Sequence, residues 1–158
     1  MTSTGIGASV RRKEDQRFIT GKGRYTDDMS VPGMKHAHFV RSPHAHAEIK
    51  KIDTKAALAM PGVIAVLTGK ELKADGIGNI ICGWMIHSKD GSPMKMGAWS
   101  PLATDTVRYV GDAIVIVVAD TKSQARDAAE AVEITYKVKK AVVSAVDALK
   151  AGAPQIHP

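Results

Sequence analysis

Residues 112–138 read DAIVIVVADTKSQARDAAEAVEITYKV. Near the start, five consecutive branched apolar residues predict a strand that is covered on both faces. Thr121 follows as a helix cap with Gln124 at the reciprocal position, and alanines then repeat at helical spacing. From Val132 to Val138 apolar and polar residues alternate, which is typical of a strand with one solvated face. The stretch therefore predicts a strand, a capped helix and a second strand.

A looser unit of the same kind lies earlier in the chain. Asp53 and Thr54 lead through an alanine-rich segment to an apolar strand that begins at Val63. Thr68 and Glu71 then fit a capping box, because each side chain can bond to an exposed amide near the other residue. Two such units predict an α+β domain with a mixed sheet and two to four short helices.

Composition changes along the chain predict its organisation. Residues 1–31 are polar and glycine-rich, which indicates an extended arm. Residues 32–150 form the predicted α+β domain, interrupted at 75–101 by a long loop that holds both tryptophans. Long irregular loops in compact domains are often functional or docked to a partner, and the tryptophans favour docking. Residues 151–158 are rich in turn formers and are interpreted as the start of a linker to missing domains.

Charge and cysteine usage narrow the function classes. The net charge of +6 is spread along the chain without basic runs that alternate with aromatics, so nucleic-acid binding is not predicted. An acidic partner surface or a solvated basic face explains the charge better. Cys82 is the only cysteine, so no internal disulfide is possible. No apolar run approaches the roughly 20 residues of a membrane span, and no hydrophobic signal core is present. We therefore predict a cytoplasmic protein.

Two His-x-His pairs are the candidate metal ligands of this sequence. Residues i and i+2 of a strand share a face, so each pair could chelate a divalent metal. A turn at Ser42-Pro43 could fold the two pairs towards each other in a hairpin. The four candidate ligands are His36, His38, His44 and His46.

An alternative interpretation places these histidines on the solvated face of the hairpin. Ala37, Phe39, Ala45 and Ala47 alternate with them and would then face the core. Glu48 is the only nearby carboxylate, so no further ligand completes a metal site. The preferred prediction is that the histidines bind no metal.

Other motifs do not predict catalysis. The Gly-x-Gly pairs at residues 5–7 and 21–23 neither follow an apolar strand nor open a helix, as a dinucleotide site requires. Asp27-Asp28 has no partner acid or base at fixed spacing, and Cys82 has no positive neighbour closer than His87. No catalytic or cofactor-binding residue is predicted in this chain.

Eight segments, taken together, resemble a known family. They occur in the same order and spacing as in the large subunit of carbon monoxide dehydrogenase-like molybdenum hydroxylases, within the xanthine oxidase/aldehyde oxidase superfamily. The resemblance extends from about Ile6 to His157. The segments are Gly7–Asp15, Arg17–Asp28, Phe39–Ala47, Ile52–Thr54, Pro61–Val63, Val107–Asp112, Val118–Thr121 and Val132–Tyr136.

The resemblance implies the N-terminal α/β-hammerhead domain of such a subunit. It also implies that the parent enzyme binds molybdopterin cytosine dinucleotide in domains beyond this one, and that no catalytic residue lies here. The implied partners are the rest of the large subunit, a small subunit with two [2Fe-2S] clusters and a medium subunit with FAD. One departure is Lys137-Val138-Lys139-Lys140, where the family usually has an acidic residue and then Leu-Pro.

Two functions from different classes follow. The first is a structural and assembly domain of a molybdenum-dependent oxidoreductase of the carbon monoxide dehydrogenase, aldehyde oxidase or xanthine dehydrogenase type, inactive when isolated. In that case the arm and the loop at 75–101 are expected to pack against the rest of the large subunit or its partners. The second is a free-standing module that binds a small ligand or a metal at the histidine hairpin.

Overall fold

A computed structural model describes residues 5–157 of the chain. The chain divides into two compact units, one ending at Met34 and the other beginning at Lys35. The first four residues of the predicted arm and the last residue of the predicted linker lie outside the described residues.

The first unit is not extended throughout, which corrects the prediction for the arm. Helix α1 covers Asp15–Ile19, and a 3-10 turn covers Thr26–Asp28. Gly21 follows the helix with a φ of +70°, a value that glycine adopts readily, and so reverses the chain. The rings of Phe18 and Tyr25 then stack with centroids 5.2 Å apart. The sequence pattern missed this because the apolar residues are too few to show a helical period.

Within residues 35–157, the described part of the second unit holds six strands and four short helices. The strands are β1 (His36–Arg41), β2 (Ala47–Asp53), β3 (Val63–Thr68), β4 (Thr106–Val107), β5 (Ala113–Ala119) and β6 (Glu133–Val138). The helices are α2 (Lys55–Leu58), α3 (Gly69–Ala74), α4 (Lys122–Glu130) and α5 (Ala145–Ala148). The predicted α+β class and the number of short helices are confirmed.

The strands form two antiparallel sheets where a single mixed sheet was expected. In the first sheet the order is β1-β5-β3, and in the second it is β4-β2-β6. The predicted hairpin between β1 and β2 is wrong, because β1 pairs with β5 while β2 pairs with β4 and β6. The apolar run of β5 explains the difference, since a strand buried this deeply takes the central position and needs a partner on each side.

One core joins both sheets to helix α4. Helix α4 lies against the strands of the first sheet, and its predicted alanine stripe is buried. Small side chains on the helix allow a close approach to the sheet. The buried cluster contains no aromatic residue, consistent with the low aromatic content, and comprises Ala47, Ala57, Val66, Ala103, Val107, Ile114, Val115, Val117, Ala128 and Ala129.

The start of helix α3 has the predicted capping box. The Thr68 side chain accepts from the Lys70 N–H at 3.2 Å, and the Glu71 carboxylate accepts from the Thr68 N–H at 2.8 Å. The Thr68 hydroxyl also donates to that carboxylate. These bonds hold the pKa of Glu71 below its usual value, the hydroxyl of Thr68 making the largest contribution. The box therefore joins the end of β3 to the helix.

Removal of this cap should destabilise the domain measurably. In Thr68→Ala the hydroxyl is lost from a buried position, so the first turn of α3 loses its side-chain acceptor. The free energy of unfolding should fall by about 1 kcal/mol, the usual cost of losing a cap. Urea unfolding at neutral pH measures the change.

The pH dependence separates the cap from a general packing effect. Because folding lowers the pKa of Glu71, its contribution is complete above the ordinary value of 4.5 and is lost as the pH falls through the lowered value. The difference in the free energy of unfolding between the wild type and Thr68→Ala should therefore become smaller at acid pH. Thr68→Ser keeps the hydroxyl and should retain the pH dependence of the wild type. A difference that is constant with pH would contradict the role of the Glu71 carboxylate.

Candidate functional site

The two members of the first histidine pair lie on strand β1. His36 and His38 oppose Ala119 and Val117 of β5, so they share the face of the first sheet that α4 covers. Phe39 lies on the other face and is exposed. The prediction that Phe39 faces the core is therefore wrong, whereas His38 is exposed as predicted and His36 is half-buried. The burial of Val117 on the central strand sets the register and therefore the orientation.

The second pair has separate partners. His44 contacts the ring of Tyr136 edge-on, with centroids 4.9 Å apart. His46 is buried, and its Nδ1 lies 2.9 Å from the carbonyl oxygen of Lys140. Burial also raises the pKa of the Tyr136 hydroxyl. Across residues 5–157 no group of three or more His, Cys, Asp or Glu side chains is placed to hold a metal ion. The second pair is thus part of the packing of β2 and β6.

The remaining sequence candidates lie at the surface. Cys82 is exposed, and its thiol donates to the carbonyl oxygen of Trp84 at 3.2 Å. The carboxylate of Asp28 accepts from the N–H of Tyr25 at 2.9 Å, which is the local role expected of an acidic residue in a turn. Neither arrangement brings an acid, a base or a nucleophile together.

The loop at residues 75–101 exposes several large apolar side chains. Its one β-bridge joins His87 to Pro93. Ile81 is 86% exposed and Trp84 81% exposed, while Trp99 is 58% exposed. Side chains of this size normally bury most of their surface, so their exposure marks a surface that another protein can cover.

This loop lines part of a cleft of about 870 Å³. The lining also includes residues of the β4–β5 connection and His157 of the C-terminal tail. Lys73 and Arg108 supply positive charge to the lining, and Asp105 and Asp112 supply negative charge. The buried Asp112 carboxylate is already bonded to the Arg108 N–H at 3.0 Å. The cleft is consequently near neutral, and its most buried carboxylate is satisfied within the chain.

Arg108 holds the C-terminal tail at the edge of the cleft. Its Nε donates to the Ile156 carbonyl at 3.2 Å, and its Nη1 donates to the Thr106 carbonyl at 3.3 Å. Gly97 faces His157 so closely that an added Cβ would lie 2.9 Å from the ring nitrogen. Sequence reasoning missed the Arg108 contact with the tail because it joins residues 48 positions apart. No local pattern carries such a signal.

The lysines that depart from the family pattern lie on and beside strand β6. Lys137 is opposite Glu48 on β2, and the N–H of Lys139 donates to the His46 carbonyl at 2.9 Å. The pKa of Glu48 is lowered chiefly by its hydrogen bond with Lys50, and Lys137 and Lys139 add to the effect. The lysines therefore complement a carboxylate on the outward face of the second sheet.

The described residues include no helix that is both long and apolar enough to cross a membrane. This finding concerns residues 5–157 alone.

Comparisons with known proteins agree with this fold. Residues 20–140 match the family model for the aldehyde oxidase and xanthine dehydrogenase a/b hammerhead domain. The chain is 45% identical over 154 residues to the carbon monoxide dehydrogenase large chain of Hydrogenophaga pseudoflava, which covers 97% of this chain and 18% of that relative. It is 38% identical over 152 residues to the nicotine 6-hydroxylase large subunit of Paenarthrobacter nicotinovorans, covering 96% of this chain and 18% of that subunit.

Solved structures give the same result. Quinoline 2-oxidoreductase from Pseudomonas putida 86 superposes with a TM-score of 0.80 at 36% identity, over 94% of this chain and 18% of that one. The Cu,Mo-CO dehydrogenase superposes with a TM-score of 0.75 at 38% identity, over 97% of this chain and 18% of that one. The chain thus spans less than a fifth of the length of these relatives. It belongs to the aldehyde oxidase and xanthine dehydrogenase family, as an a/b hammerhead domain.

Proposed function

We propose that this chain is the structural and assembly domain of the large, molybdopterin-binding subunit of a molybdenum hydroxylase. The exposed apolar side chains of the loop at 75–101 carry the proposal. On a free domain they would remain in water, whereas on a subunit they cover a neighbouring domain and become buried. The coverage of 18% of the relatives' length supports the same role.

The described residues do not fit the pterin dinucleotide itself. A pyrophosphate needs an excess of positive charge or free N–H groups at a helix start. In the cleft Arg108 already donates to two carbonyls, and two carboxylates balance the two cations. The starts of α3 and α4 are capped by their own threonines. We infer that other domains of the large subunit hold the cofactor.

The proposed setting follows the family. The whole enzyme would use molybdopterin cytosine dinucleotide and pass electrons to [2Fe-2S] clusters on a small subunit and FAD on a medium subunit. Its activity would be that of a carbon monoxide dehydrogenase, an aldehyde oxidase or a xanthine dehydrogenase. We place the complex in the cytoplasm, because Cys82 offers no internal disulfide.

A chimera tests this role. In it, this chain replaces the matching segment of the Hydrogenophaga pseudoflava large chain, to which it is 45% identical. The chimera should assemble and retain bound pterin, while the isolated chain binds none and shows no dehydrogenase turnover. The double variant Ile81→Ser/Trp84→Ser should lower the yield of assembled, pterin-loaded chimera at least about tenfold, because it removes exposed apolar anchors.

The control is Ser88→Thr/Ser92→Thr, which alters the same loop at polar positions. It should assemble like the parent chimera. Bound pterin or turnover in the isolated chain would contradict the proposal, as would a chimera that fails to assemble.

A further inference from the structure

The outer face of the first sheet is apolar and exposed. We define it as the face opposite helix α4, and two rows of side chains cross it. Phe39, Ile116 and Leu67 are in register in one row, and Ala37, Val118 and Ala65 are in register in the other. Phe39 is 39% exposed, Ala37 is also exposed, and the other four side chains are half-buried. All six positions are therefore apolar and accessible.

The second sheet shows that this pattern is not general in the domain. Its outward positions include Lys51, opposite Thr135, and Glu48, opposite Lys137. Charged and hydroxyl side chains of this kind are typical of a sheet face that remains in water. The contrast between the two sheets indicates that the outer face of the first sheet is normally covered.

The dimensions of the face fit one helix. In a three-stranded sheet the two outer strands lie about 10 Å apart. This distance is close to the diameter of an α-helix with its side chains. Along the strands the apolar region covers three residues, or roughly 10 Å, which matches about two helical turns. The α4 side of the same sheet is already covered by one helix, and a second helix on the opposite side would remove the apolar rows from water.

Charge at the two ends of the face restricts the partner. At one end Lys35 pairs with Asp120 at 2.5 Å, so that end is neutral. At the other end the guanidinium of Arg41 lies 5.4 Å from the centre of the Phe39 ring and donates to the Gly111 carbonyl at 3.0 Å. A backbone carbonyl does not neutralise the cation, so a partner carboxylate beside Arg41 would gain a charge-assisted hydrogen bond.

We propose that the outer face of the first sheet binds one amphipathic helix from the remainder of the large subunit. That helix presents an apolar stripe to the two rows and a carboxylate to Arg41. The proposal rests on the proposed function, because that function supplies the remaining part of the subunit. It differs from the role of the loop at 75–101 in both the surface and the partner element.

The same chimera tests the docking face. Phe39→Ser/Leu67→Ser removes two anchors from the edge strands, and it should reduce the yield of assembled, pterin-loaded chimera at least about tenfold. Arg41→Glu should also reduce assembly, and raised salt should lower the yield of the parent chimera towards that of the variant. The matched control is Lys51→Ser/Thr135→Ser on the second sheet, which should assemble normally.

Three outcomes would overturn the docking face. The first is unchanged assembly of Phe39→Ser/Leu67→Ser in a chimera that otherwise assembles, which would leave the proposed function intact. The second is a dimer of the isolated chain, by light scattering, that this variant makes monomeric, since a second copy would then be the occupant. The third is a rise in hydrogen exchange of strands β1 and β3 when residues 1–34 are deleted, since the chain's own first unit would then cover the face. Thermal unfolding of the isolated variant checks that the fold survives.

Discussion

Ile114→Ala is expected to lower the free energy of unfolding by about 3 kcal/mol, within the usual range for truncating a buried isoleucine. Ile114 is fully buried at the start of the central strand β5 and belongs to the core cluster. The truncation removes apolar atoms and leaves a cavity in the core. For a domain of this size the melting temperature should fall by about 10 °C. Urea unfolding and calorimetry of the isolated chain measure both quantities.

Ile116→Ala is the matched control. It makes the same chemical change two residues further along β5, beyond the register shift that leaves Ile114 unpaired between Ala113 and Val115, and it lies on the half-buried outer face of the first sheet. Because Ile116 buries less apolar surface than Ile114, its truncation should lower the free energy of unfolding by only about 1 kcal/mol. Equal losses for the two variants would show that the outer face is as tightly packed as the core in the isolated chain. That result would contradict both the described core and the proposed docking face.

Gly69→Ala is the second change with a large expected effect. Gly69 is buried at the first position of α3, where an added Cβ would lie 2.8 Å from the Leu102 carbonyl oxygen and 2.7 Å from a methyl carbon of Thr104. Backbone atoms cannot rotate away as a flexible side chain can. The strand end, the helix or the 102–104 segment must therefore shift, at a cost of about 2 kcal/mol. Chemical denaturation of the purified variant measures the loss.

Gly78→Ala provides the comparison for that glycine. Gly78 lies in the loop at 75–101, and no atom lies within 4 Å of the position that an added Cβ would take. The change should alter stability by less than about 0.5 kcal/mol, the usual range for a surface substitution. If Gly69→Ala were equally mild, the close approach of α3 to residues 102–104 would be wrong.

The elements of the fold could be predicted where the signal is local. The apolar run of β5, the alanine stripe of α4 and the caps at Thr68 and Thr121 each depend on a few neighbouring residues, and each is present. The pairing of strands could not be predicted in the same way. β1 lies opposite β5, far from it in the sequence, so no pattern of neighbouring residues carries this pairing.

In the candidate site too, features formed by neighbouring residues could be predicted and features formed by distant residues could not. The loop at 75–101 stands out in the sequence because two tryptophans occur in a segment without a period. The outer face of the first sheet does not stand out, since Phe39, Leu67 and Ile116 come from three separate strands. The histidine hairpin failed as a prediction because sequence proximity was taken for strand pairing. His36 and His38 lie on a strand that pairs with β5. His44 and His46 instead contact Tyr136 and Lys140.

The central position of β5 also has a consequence during synthesis of the chain. Within the described residues, β1 and β3 form their sheet by pairing with β5, which follows them only after residues 69–112 have been made. At a translation rate of about 5–20 residues per second, several seconds pass between the synthesis of β3 and that of β5. The interval between β1 and β5 is longer. During that interval the nascent chain presents three unpaired strands, since β2 likewise pairs with the later strands β4 and β6. Unpaired strand edges and exposed apolar side chains make residues 36–68 prone to aggregation until the later strands have been made.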